Sequence, residues 1–158
     1  MAGRGAERAG LLELAEQMSD AVRRLALVWD RAPLSVNPRL SAQQLVTLES
    51  VSASPGINLT GLADVVGVGH SAASRLCDRL EAAGLLERRI PPENRREIHL
   101  TATSRGRSLL DEVEARRRQD LAAILAEIPP DRRGELRDGL RAVSALDRGG
   151  AGRQDPRG

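Results

Sequence analysis

The chain has 158 residues, enough for one domain with a modest core. Hydrophobic residues make up 41% and charged residues 29%, an ordinary balance for a soluble globular protein. A net charge of +2 and a single aromatic residue, Trp29, argue against binding by bulk charge or by base stacking.

In chain order, residues 1–7 and 147–158 are rich in Gly, Arg and Asp and read as flexible tails. Over residues 8–32, Leu11, Leu14, Ala15, Met18, Val22, Leu25, Ala26 and Trp29 recur at helical spacing, and Pro33 ends the helix. Leu34 to Arg39 reads as a loop. Ser41-Ala-Gln-Gln44 is a capping box with Leu40 and Leu45 as its hydrophobic staple. The second helix it starts buries Leu45, Leu48 and Val51 and stops at Pro55-Gly56. Ile57 to Leu59 reads as a short strand. Thr60 is expected to cap a third helix that buries Leu62, Ala63 and Val66 and ends at Gly67. A fourth, from Ser71 to Ala83, turns Ala73, Leu76, Cys77 and Leu80 inward, and Gly84 closes it. Small Ala63 permits close helix crossing and Gly67 a sharp turn, which is the pattern of a helix-turn-helix.

After Gly84 the period changes to two. Leu86 and Ile90 alternate on one strand, and Ile98, Leu100 and Ala102 on the other, with Pro91-Pro92-Glu-Asn-Arg-Arg96 as the tip. Thr103 can cap a fifth helix carrying Leu109, Leu110, Val113, Leu121, Ile124, Leu125 and Ile128. Pro129-Pro130 breaks it, and a last helix carries Leu136, Leu140, Val143 and Leu146. The fold class expected is mainly α: a winged helix-turn-helix over residues 40–103, with the small β-hairpin as wing. Residues 8–32 and 104–146 form long flanking helices whose stripes exceed what that core can bury, so they are expected to join two copies in a homodimer.

Residues 41–103 hold six arginines against seven acidic residues, and the chain has no lysine. A DNA surface must therefore come from the placement of arginines. His70, Ser71, Ala72, Ser74, Arg75 and Arg79 lie off the apolar face of the fourth helix. Serine and a helix N-terminus suit phosphates, and Arg75 suits a guanine edge or a phosphate. Arg95 and Arg96 at the wing tip suit the negative potential of a minor groove. Arg88 and Arg89 alternate faces, one toward phosphate and one toward an acidic neighbour, and Arg88 is placed with the DNA-contacting set. The bland reading of all these positions is a solvated surface.

The chain resembles the MarR family of transcriptional regulators over roughly residues 8–146. The resemblance lies in Leu62-Ala63 and Gly67, in Ser74-Arg75-Leu76, and in Leu80-Glu81-x-x-Gly84-Leu85-Leu86-x-Arg88. The wing motif Asp-x-Arg falls on Asn94-Arg95-Arg96, and Leu-Thr-x-x-Gly falls on Ala102-Thr103-Ser-Arg-Gly106. Asn94 in place of the aspartate turns a wing ion pair into a neutral hydrogen bond and leaves Arg96 freer. The resemblance implies a homodimer that binds double-stranded DNA at a palindromic operator, acts as a repressor and is released by a small phenolic or aromatic acid.

Several residues also invite other readings. Gly67-Val-Gly69-His-Ser-Ala72 matches a dinucleotide-binding turn, and Gly69-His-Ser71-Ala-Ala73 resembles a nucleophile elbow. The first lacks a preceding strand and a second βαβ unit, and the second lacks Asp and His partners, so no enzyme is expected. Cys77 reads as a core cysteine rather than a thiol sensor. His70 and His99, the only histidines, form no i, i+4 pair, so neither a metal nor another cofactor is expected. Trp29 reads as dimer core or as the wall of a ligand pocket. A winged-helix module that binds only proteins remains the alternative. With no span-length apolar stretch and no signal peptide, a cytoplasmic location is expected.

Overall fold

A computed structural model describes the backbone of residues 2–90 and 98–150 and the side chains of residues 5, 7–90 and 98–146. The elements follow in the order α1 (Ala2–Arg31), α2 (Ala42–Ala53), α3 (Leu59–Val66), α4 (His70–Ala82), β1 (Leu86–Arg89), β2 (His99–Ala102), α5 (Ser104–Glu127) and α6 (Arg133–Gly150). Short 3-10 turns, Ala32–Leu34 and Pro130–Arg132, follow α1 and α5. The fold is mainly helical with one antiparallel hairpin, the winged helix expected from the sequence. Residues up to Asp120 form one compact unit and those from Leu121 another.

The first unit is assembled from local signals. Ser41 accepts the Gln44 N–H at 3.2 Å and Gln44 accepts the Ser41 N–H at 2.9 Å, completing the capping box of α2. Leu40 and Leu45, its staple, are both buried. Thr47 is buried on the same helix, its hydroxyl satisfied by the Gln43 carbonyl at 2.6 Å. The start of α3 differs from the expectation. Asn58, not Thr60, is its cap, because the Asn58 side chain accepts the Gly61 N–H at 2.8 Å. That turn also removes the strand expected at Ile57 to Leu59, leaving one bridge between Ile57 and Leu100.

The terminal stretches also differ. Helix α1 begins at Ala2, so most of the supposed tail of residues 1–7 continues the helix. Gly3 and Gly5 cost about 1 kcal/mol each there, but neither stops a helix as proline would. Helix α6 runs to Gly150, past the expected end at Leu146, and residues 151–158 lie outside the described residues.

The core gathers Leu48 and Val51 of α2, Leu62 of α3, Cys77 and Leu80 of α4, Leu86 and Leu100 of the hairpin, and Leu109 and Val113 of α5. Each such leucine removed from water contributes about 1.5–3 kcal/mol. The hairpin is closed at its base by a tight junction. Thr103 N–H donates to the Leu85 carbonyl at 3.0 Å. The Thr103 hydroxyl donates to the Gly84 carbonyl at 2.7 Å and accepts the Gly106 N–H at 3.0 Å, capping α5 as expected. Gly106 lies so close that a Cβ there would stand 2.1 Å from the Leu85 oxygen.

By contrast α1 leaves Leu11, Leu14, Met18 and Val22 exposed on one stripe, and α6 leaves Leu140, Val143 and Leu146 exposed. In the second unit Leu121, Leu125, Leu136 and Leu140 line an apolar groove.

Gly106→Ala should lower stability by about 2–4 kcal/mol, because the clash is with backbone that cannot step aside. Urea denaturation should show a lower midpoint at an unchanged slope.

Candidate nucleic-acid interface

The turn between α3 and α4 is set by two glycines. Gly67 adopts φ +71°, a left-handed conformation that ends α3. Gly69 occupies the N-cap of α4 and offers no side chain, so the first turn of α4 lacks a side-chain cap. The position leaves backbone N–H groups and the positive end of the helix dipole to an outside acceptor.

Helix α4 is divided cleanly. Ala73, Leu76, Cys77 and Leu80 are buried, while His70, Ser71, Arg75 and Arg79 are exposed and Ala72 and Ser74 half-buried. Ser71, Arg75 and Arg79 follow one another at four-residue spacing and form a single outward ridge. Neither arginine makes an ion pair among the described residues. The structure thus brings the six residues expected on this helix to its outer side and start. Asn94, Arg95 and Arg96 lie outside the described residues.

Arg88, expected among the DNA-contacting set, is held here by two acids of α4. Its guanidinium bridges Asp78, at 2.6 Å, and Glu81 on α4. The two carboxylates are three residues apart on one helix face, a spacing that one guanidinium spans. The hydrogen bond to Asp78, the charge of Glu81 and the charge of Asp78 hold the Arg88 pKa above its usual value, against the opposing effect of desolvation. Arg88 is therefore the bracing member of the pair. Arg89, on the other face of the strand, is exposed and lies 2.6 Å from Glu87.

The remaining residues of interest fall into place. Cys77 is fully buried, and desolvation pushes its thiol pKa up. His70 lies at the start of α4 and His99 on β2. Gly67-Val68-Gly69 joins two helices, so the dinucleotide-like motif follows a helix rather than a strand. Ser71 sits within the first turn of α4.

A second feature escaped the sequence reading. Arg117 of α5 is only 8% exposed. It donates to Glu114 at 2.7 Å and to Glu49 of α2 at 3.1 Å, and its guanidinium carbon lies 4.7 Å from the centre of the Trp29 ring. Its Nε is buried without a hydrogen-bond partner. Trp29, Glu49 and Arg117 border a cavity of about 350 Å³, also lined by Asp30, Leu34 and Val46. Trp29 is thus a wall of this cavity. The signal was present in the sequence: the buried positions Leu109 and Val113 continue at four-residue spacing to Arg117, a charge on an apolar stripe.

Among known proteins, the profile of the MarR family matches residues 40–98. No curated protein sequence matches the chain. The crystal structure of RV1404 from Mycobacterium tuberculosis is similar at 32% identity over 93% of this chain and 97% of that one, with a TM-score of 0.76. The multiple antibiotic-resistance repressor MarR from Listeria monocytogenes is similar at 20% identity, 90% and 97% coverage and a TM-score of 0.71. FabT of Streptococcus pneumoniae, solved in complex with DNA, gives 14% identity, 86% and 96% coverage and a TM-score of 0.65. At such identities the last two speak for the fold.

Arg88→Met keeps the length of the side chain and strands two carboxylates. It should cost about 1–2 kcal/mol, the range for a charge-assisted pair that is partly shielded from water. In a double-mutant cycle read by urea denaturation, the cost should shrink when Asp78→Asn and Glu81→Gln are already present.

Proposed function

The chain belongs to the MarR family of transcription regulators, and on that premise we propose that it is a homodimeric repressor that grips a palindromic DNA operator with α4 and the wing. The observation that carries this reading is the Ser71–Arg75–Arg79 ridge beside an uncapped helix start. A phosphate is received by the Ser71 hydroxyl and the first-turn N–H groups, and Arg79 meets a second phosphate. Arg75 reaches a guanine edge in the major groove, with His70, Ala72 and Ser74 bordering the bases. Asn94, Arg95 and Arg96 of the wing take the neighbouring minor groove. FabT, which shares the fold, was solved in complex with DNA, and that supports the reading.

The dimer is supported by the exposed apolar stripes of α1 and α6, which a second copy would cover. Two-fold symmetry then requires an inverted repeat with half-sites about 10 base pairs apart. A cytoplasmic location goes with this role, and no described helix is long and apolar enough to cross a membrane.

The cavity at Trp29 and Arg117 favours a second element of the reading, release by a small aromatic acid. Its ring would lie beside Trp29, with its carboxylate drawn to the charge of the Arg117 guanidinium. A ligand releases DNA only if it binds the non-competent arrangement better than the DNA-bound one. Salicylate should therefore raise the melting temperature of the free protein and weaken its complex with DNA. Arg117→Met should abolish both responses. An unchanged melting temperature across a series of phenolic acids would remove the ligand and leave the DNA reading intact.

Footprinting on a duplex selected from random DNA should show a protected region with dyad symmetry, and light scattering should give twice the chain mass. Arg75→Ala should weaken binding by about 1–3 kcal/mol and relax the preference at one base pair. If the parent protein shifts no duplex sequence-dependently, the family fold serves protein contacts here instead.

A further inference from the structure

The inner face of the hairpin does not stop where the core stops. The register pairs Leu86 with Ala102, Arg88 with Leu100 and Arg89 with His99. Continued by one residue, it sets Ile90 opposite Ile98. Strand alternation puts Ile90 on the face of Leu86 and Arg88, and Ile98 on the face of Leu100 and Ala102. Along that face exposure rises from 2% at Leu86 to 63% at Ile90, and from 1% at Leu100 to 48% at Ile98. Two large β-branched side chains thus stand side by side in water on the core-facing side of the wing.

Arg88 fixes where they look. It lies between Leu86 and Ile90 on that same face, and its guanidinium is held by Asp78 and Glu81 of α4. The isoleucine pair therefore overhangs the side of the wing turned toward α4, one step beyond the Arg88 bridge to that helix. With α4 in a major groove and the wing in the adjacent minor groove, the object between them is one sugar–phosphate strand. Arg79 borders it from the helix side and supplies charge for a phosphate. The isoleucines supply none, and they suit the C–H surface of deoxyribose, which forms the wall of the minor groove.

We propose that Ile90 and Ile98 form an apolar saddle that packs against the deoxyribose edge of the strand running between α4 and the wing. The inference rests on the DNA-binding reading above and adds a contact that carries no charge. Such a contact contributes through dispersion and the removal of C–H surface from water, so it releases no counterions and leaves no mark on the salt dependence. Its fit depends on the width of the groove, which makes the pair sensitive to DNA shape rather than to base identity.

The test is Ile90→Thr with Ile98→Thr, which keeps β-branching and strand preference while replacing apolar surface by hydroxyl. On a duplex selected from random DNA, the double variant should bind about tenfold more weakly, equal to about 1.4 kcal/mol. The slope of log affinity against log salt should match that of the parent, and so should the urea midpoint, because both positions are exposed. Parental affinity in the folded variant would overturn the saddle. A weakened complex with a reduced salt slope, or with a lowered urea midpoint, would also overturn it, assigning the pair to charge placement or to bracing of the hairpin. A halved mass in light scattering would overturn it in favour of a contact between copies. A parent protein that binds no duplex at all would instead remove the reading on which the saddle rests.

Discussion

The approach of Gly106 to the Leu85 carbonyl is the constraint from which the arrangement of α4, the hairpin and α5 follows. Only a residue without a Cβ fits there, and the fit lets Thr103 bond at once to the Leu85 and Gly84 carbonyls and to the Gly106 N–H. Gly84, at φ +71°, turns the chain out of α4 so that Leu85 is presented to that junction. The end of α4, the base of the hairpin and the start of α5 are thereby held at one point. The outward ridge of α4 and the wing are consequently fixed relative to each other at two places, this junction and the Arg88 bridge.

That second fixing point also settles the electrostatics of a nearly neutral domain. Helix α4 carries Arg75 and Arg79 against Asp78 and Glu81, which cancel when counted along the chain. Arg88 enters from the strand and engages both acids, so the two outward arginines act without opposition. Net charge was a poor guide because the relevant quantity is which cations are left unpaired after folding. A single exposed pair of this kind would be worth little; here a half-buried arginine meets two acceptors at once.

Much of this was legible from local chemistry. The capping box at Ser41, the left-handed stops at Gly67 and Gly84, the switch to period two and the Thr103 cap depend on a few adjacent residues, and each appears as the spacing implied. The cap of α3 was placed at Thr60, but Asn58, two residues earlier, takes that role, because its side chain is the one that reaches the Gly61 N–H. The extension of α1 through residues 2–7 was missed because composition was weighed above the absence of a breaker. The acidic partners of Arg88 were not legible because alternation along a strand gives the face but not the partner waiting on it. The stripe of Leu109 and Val113 marks Arg117 as inward-facing, but its partner Glu49, 68 residues away, is a contact no local pattern contains.

Trp29 has one further consequence. It is the chain's sole indole, and there is no tyrosine or phenylalanine. It sits under the Arg117 guanidinium, where the end of α1 meets α2 and α5. Ultraviolet emission from the chain therefore originates at a single point, and that point is the joint between a long flanking helix and the winged head. The fold carries a built-in optical reporter of this joint, free of overlap from any other fluorophore and present without a label.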